Sequence, residues 1–124
     1  MASNEELIYF IQSSFRSVWA LEVVRELRDH AGVDVAPESL VTRLRASDLI
    51  VRQSLKELSA ARIVQIGASG RATYAPATTE LDRLVSAAID HYAAAPASVR
   101  RAILFATNSD LAAFAEAFRL RGKP

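Results

Sequence analysis

The sequence predicts a mainly α domain with one two-stranded β-hairpin. Three observations carry that prediction. Apolar residues recur at helical spacing along most of the 124 residues. Capping residues and prolines stand where helices would begin. Only Ile63 to Ala75 joins β-branched and alternating residues to a glycine-bounded turn.

The elements follow in order. Ser3-Asn4-Glu5-Glu6 has capping-box spacing, a hydroxyl oxygen at the N-cap and a carboxylate three residues on. Leu7, Phe10, Ile11, Ser14 and Phe15 continue at helical spacing, and Ser13, Ser14 and Ser17 weaken the helix there, so a short first helix and then a break are expected. Ser17 is expected to cap a second helix with Val18, Leu21, Val24 and Leu27 as its buried stripe; Gly32 suits the left-handed position after its end. Val33-Asp34-Val35 alternates and fits one short strand. Pro37 suits a first helical position, with Glu38 near the positive helix end, and Leu40, Val41 and Leu44 give this brief helix an apolar face.

Arg45-Ala46-Ser47 reads as a three-residue turn. Ser47 is a good N-cap for a helix from about Asp48 to Ala61, with Asp48 stabilising its first turn. Val51, Ser54, Leu55 and Leu58 share one face; Leu49, Arg52, Gln53 and Lys56 lie opposite. After the hairpin, Thr78 or Thr79 caps a helix with Leu81, Leu84, Val85, Ala88, Ile89 and Tyr92 as its stripe. Pro96 opens another with Val99, Ile103 and Leu104 inside. Asn108-Ser109-Asp110 caps a last helix bearing Leu111, Phe114, Ala115 and Phe118, ended by Gly122.

With 51% apolar and 23% charged residues, the chain suits one globular domain over residues 1–124, without linker or repeat. It has no cysteine, which excludes disulfides and thiolate chemistry. No apolar run reaches the roughly 20 residues of a membrane span. The acidic start MASNEEL lacks the basic and apolar regions of a secretory signal, so a cytoplasmic protein without a membrane partner is expected.

Net charge is +1, but it is unevenly distributed. Residues 1–39 carry seven acidic side chains against Arg16, Arg25 and Arg28. Residues 40–75 carry Arg43, Arg45, Arg52, Lys56, Arg62 and Arg71 against only Asp48 and Glu57. A basic centre in a nearly neutral chain suggests an anionic partner for that centre.

The order of helix, short strand, helix, three-residue turn, helix and hairpin brings in a resemblance. From about Val18 to Ala75 the chain resembles a winged helix-turn-helix domain, as in bacterial transcription regulators of the multiple-antibiotic-resistance type. The stretch PESLVTRLRASDLIVRQSLKELSAARIVQIGASGRATYAPA carries it. Leu40 and Leu44 match buried positions of the motif's first helix, Ser47 the cap of the recognition helix, and Val51, Leu55 and Leu58 its core positions. Ala61-Arg62-Ile63-Val64 stands at the entry to the wing, where the family usually has a glycine second.

The resemblance implies a winged helix-turn-helix core over 18–76 with a two-stranded wing, flanked by N-terminal and C-terminal helices over 1–17 and 77–124. It implies a sequence-specific regulator that binds double-stranded DNA, with a small-molecule effector left unspecified; with no nucleophile elbow and no His-Glu-x-x-His pair, neither an enzyme nor a cofactor is expected. A helix on a compact support can enter the major groove. Arg52 and Gln53 then suit base edges, and Leu49 can touch a thymine methyl. Ser47, Lys56, Arg43, Arg45 and Arg71 suit phosphates, Arg71 from the wing. Outward Leu49 and Ile50 equally suit a protein partner, so a winged-helix protein-interaction module is the alternative.

Other candidates have plainer readings. His30 and His91 lack further ligands at metal-site spacing. Trp19 is expected to pack between helices, and Tyr74 across the hairpin. Gly67 and Gly70 are too isolated for a phosphate loop, and no nucleophile elbow occurs. Leu7, Phe10, Ile11, Phe114 and Phe118 look surplus to one small core, which suggests a homodimer through the terminal helices.

Overall fold

The computed structural model describes residues 3–107, and within them the chain is mainly helical with one small antiparallel sheet. The helices are α1 (Asn4–Ser14), α2 (Val18–Asp29), α3 (Pro37–Leu44), α4 (Asp48–Ala60) and α5 (Thr79–Ala94). A sixth, α6, runs over 96–107 as far as the described residues go. Strands β1 (Val64–Ile66) and β2 (Ala72–Tyr74) lie between α4 and α5. The expected Asn108-Ser109-Asp110 cap and the helix with Leu111, Phe114, Ala115 and Phe118 lie outside the described residues.

Three starts are capped by side chains as their sequences lead one to expect. Ser3, Ser47 and Thr78 each accept a hydrogen bond from the backbone N–H three residues on, at 3.1, 3.1 and 3.0 Å. Ser17 precedes α2 but makes no such bond. Pro37 opens α3, where its missing N–H costs nothing.

The core centres on α2. Ala20, Leu21, Val23, Val24 and Leu27 are all fully buried. The buried stripe is wider than periodicity alone indicates, because α3, α4 and β2 all pack against this helix. From α4 come Val51, Ser54, Leu55 and Leu58, the four residues read as its inner face. Val85, Ala88, Ile89 and Tyr92 of α5 and Val99 and Ile103 of α6 close the other side.

Helix α1 packs on α5, and the Gln12 side-chain amide donates to the Ala102 carbonyl of α6 at 3.1 Å. Ile11 is fully buried, Leu7 and Phe10 pack against the core, and the Phe10 ring meets Phe15 edge-on with centroids 5.9 Å apart. These three residues are therefore not surplus, as the sequence suggested; they cover the protomer's own core. Leu104, expected inside, is 58% exposed.

The hairpin pairs Val64 with Tyr74, Gln65 with Thr73 and Ile66 with Ala72. Gly70, at φ 85°, supplies the positive φ that its turn requires. The strand expected at Val33–Val35 shrinks to one bridge, Val35 with Ala72 at 2.8 and 2.9 Å. Only Val35 is buried there, and Pro37 starts a helix two residues later.

Candidate nucleic-acid interface

Helices α3 and α4 are joined by Arg45-Ala46-Ser47, with Arg45 in the left-handed region at φ 53°. That conformation turns the chain sharply enough for α4 to pack on both α3 and α2. The outer side of α4 is thereby left free. Leu49, Arg52, Gln53 and Lys56 are all exposed, Leu49 by 74%. The hairpin follows directly after α4.

Each candidate residue has a definite setting. Ser47 is exposed, and its hydroxyl oxygen is taken up by the Ile50 N–H, leaving its O–H free to donate. Arg52 is not free, as outward placement alone implied. Its Nε lies 2.9 Å from both carboxylate oxygens of Asp48, one turn earlier, and its Nη2 lies 3.2 Å from Glu38 Oε1 on α3. The Asp48 hydrogen bond, then its charge, raises the Arg52 pKa further. Asp48 thus does more than stabilise the helix start; it holds the leading base-reader candidate.

Arg43 and Arg71 are likewise paired. Arg43 Nη1 is 3.4 Å from Glu26 Oε1 on α2, and Arg71 Nε is 3.2 Å from Asp34 Oδ2. Arg71 is folded back against the 33–35 segment and is not extended from the hairpin. Among the described residues, Arg45 and Lys56 are exposed and make no ion pair.

These partners revise the charge reading. Glu26, Asp34 and Glu38 belong to the acidic first third of the chain, and each neutralises one arginine of the basic centre. Charges segregated along the sequence are interleaved in space. The Arg52 and Arg71 pairs are solvent-exposed and the Arg43 pair is half-buried at Glu26; surface pairs of this kind contribute little.

Beside this face lies a cleft of about 860 Å³, walled by α1, the start of α2, α4 and α6. Tyr9, Trp19, Ile50 and Phe105 line it together with Gln53 and Glu57. Tyr9 is 73% exposed, Phe105 68% and Trp19 37%, so Trp19 is not enclosed between helices as expected. Glu57 Oε2 is shut off from solvent without a hydrogen-bond partner among the described residues. Burial pushes the Glu57 pKa up, partly offset by the charge of Arg16. This cleft is not evident from the apolar stripes of the sequence. Its signal was present: Tyr9 and Trp19 are aromatics that fall off the apolar stripes of their helices.

Tyr74 stands opposite Val64 across the hairpin, where cross-strand packing was expected, and it also packs against the core; its hydroxyl donates to Asp82 Oδ1 of α5 at 2.6 Å. Among the described residues no group of three or more metal-ligating side chains occurs, and no helix is long and apolar enough to cross a membrane. Comparison of the chain with protein-family models, curated proteins and solved structures finds no match.

Proposed function

We propose that this chain is a sequence-specific, double-stranded DNA-binding transcriptional regulator, in which α3 and α4 form a helix-turn-helix, α4 reads the major groove and β1–β2 serve as the wing. One observation carries the reading: α4 buries Val51, Leu55 and Leu58 while exposing Leu49, Arg52, Gln53 and Lys56 on its free side, close to the turn from α3. Those side chains have the chemistry to read bases and meet phosphates. Arg52 and Gln53 act as base readers; Arg43, Arg45, Ser47, Lys56 and Arg71 meet phosphates. Arg43, Arg52 and Arg71 exchange their carboxylate partners for the nucleic acid. A homodimer presents two reading helices to two half-sites. Leu104, exposed on α6 and outside the cleft, is available to such an interface.

A second reading is favoured by the ion pairs themselves. With Arg43, Arg52 and Arg71 neutralised around an exposed Leu49, the same face suits a protein partner. Fluorescence anisotropy with a mixed-sequence duplex at low ionic strength separates the two. Salt-sensitive binding, followed by enrichment of a consensus from a randomised duplex library, is expected for the regulator. No binding even at low salt overturns it in favour of the protein module, whose contact Leu49→Asp would then abolish.

A further inference from the structure

We propose that Asp48 is itself a base reader and selects cytosine near the base taken by Arg52, an inference that rests on the DNA-binding reading of α4. Asp48 is the first residue of α4, and in a helix-turn-helix the N-terminal residues of the reading helix meet base edges. Its side chain is exposed, on the same outer strip as Leu49, Arg52 and Gln53. The helix does not need it as a cap, because Ser47 already accepts from the Ile50 N–H at 3.1 Å. Asp48 and Arg52 stand one helical turn apart. That separation is about 6 Å along the helix axis, or about two base-pair steps.

Contact with DNA changes what Asp48 faces. In the free protein both of its carboxylate oxygens lie 2.9 Å from Arg52 Nε. An arginine that turns its guanidinium to guanine O6 and N7 leaves that carboxylate without its cation. An ionised carboxylate only accepts hydrogen bonds, and beside phosphates it is repelled unless it finds a donor. Cytosine alone presents a donor and no acceptor on its major-groove edge, through its N4 amino group. Guanine and thymine place acceptors there, and adenine sets N7 beside its amino group. One carboxylate therefore rewards one base and opposes the other three, and specificity is such a difference in affinity. Glu38 has another position. It reaches Arg52 Nη2 at 3.2 Å from α3, the helix that in this motif crosses the DNA backbone and does not enter the groove.

The experiment selects duplexes from a randomised library with the full chain, then measures single-base variants of the selected site by competition anisotropy. The position at which Arg52→Ala loses preference marks the base that Arg52 reads. Cytosine is expected within about two base pairs of it. Replacing that cytosine with thymine is expected to weaken the native chain roughly tenfold or more. Asp48→Ala removes most of this factor while preference at the Arg52 position persists. Asp48→Asn, which keeps the size of the side chain and adds a donor for thymine O4, tolerates the replacement as well. Glu38→Gln leaves the factor as in the native chain. Urea midpoints report whether each variant folds. Absence of cytosine near the Arg52 position, an undiminished factor in Asp48→Ala and Asp48→Asn, a uniform gain for every duplex in Asp48→Ala, or equal relaxation in Glu38→Gln each overturns the role of Asp48 while leaving α4 as the reading helix. Failure of the native chain to bind any duplex at low salt overturns the DNA-binding reading, and the role of Asp48 falls with it.

Discussion

Two non-glycine residues hold left-handed backbone, Arg45 at φ 53° and Arg62 at φ 62°. For a residue with a Cβ this conformation costs about 1–2 kcal/mol. Arg62 follows the last turn of α4 and leads into β1, in a backbone conformation that glycine adopts without strain. Its side chain is exposed and makes no ion pair among the described residues. Arg62→Gly is therefore expected to raise stability by about 1 kcal/mol, after allowance for the freer unfolded chain. Urea unfolding checks this as a higher midpoint at unchanged slope. Arg52 poses the opposite case, a side chain engaged twice without burial. If it reads a base, Arg52→Ala lowers affinity for the selected consensus duplex roughly tenfold to a hundredfold and relaxes preference at one base pair. Competition binding with single-base variants of that duplex measures both effects.

At the scale of elements, the hairpin is too short to stand alone, since isolated two-stranded ribbons are marginal in water. It is held by Val35 through the Ala72 bridge, by its buried Val64 and Ala72, and by the Tyr74 hydroxyl on Asp82 of α5. Burial, then the Asp82 hydrogen bond, raises the Tyr74 pKa above its ordinary 10.0. The sign follows from linkage. The folded protein holds the phenolic proton more firmly than the unfolded chain, so this contribution is complete below pH 10.0 and is lost as pH rises beyond it. Tyr74→Phe is expected to cost about 1 kcal/mol at neutral pH and to lessen the fall in stability above pH 10.0. Denaturant midpoints across the alkaline range, compared between the two proteins, test both halves.

Across the whole molecule, the acidic first third folds against the basic centre and cancels much of its charge. Long-range attraction for a polyanion is therefore weaker than a net +4 segment implies, and under the proposed function discrimination rests more on local contacts of α4. Lys56 is exposed and unpaired among the described residues, which leaves it available for the phosphate contact proposed for it. Lys56→Ala is expected to weaken binding to all duplexes alike and to reduce the log–log salt slope by about one unit. Anisotropy titrations at several salt concentrations check it; a sequence-dependent loss with an unchanged slope contradicts the assignment.

The sequence by itself determined the helices among the described residues, their capped starts at Ser3, Ser47 and Thr78, the inner face of α4 and the place of the hairpin. Each is encoded locally, by 3.6-residue periodicity, by a capping oxygen near the free N–H groups, or by glycine at a turn. The outward position of Leu49, Arg52, Gln53 and Lys56 was legible for the same reason. Only the tertiary structure decided which acids meet which arginines. Glu26 and Arg43 are 17 residues apart, Glu38 and Arg52 14, and Asp34 and Arg71 37. It likewise decided that Leu7, Phe10 and Ile11 cover the protomer's own core, and that Tyr9, Trp19 and Phe105 open onto one cleft. Periodicity says which residues share a face of one helix; what that face meets is set by how the helices pack.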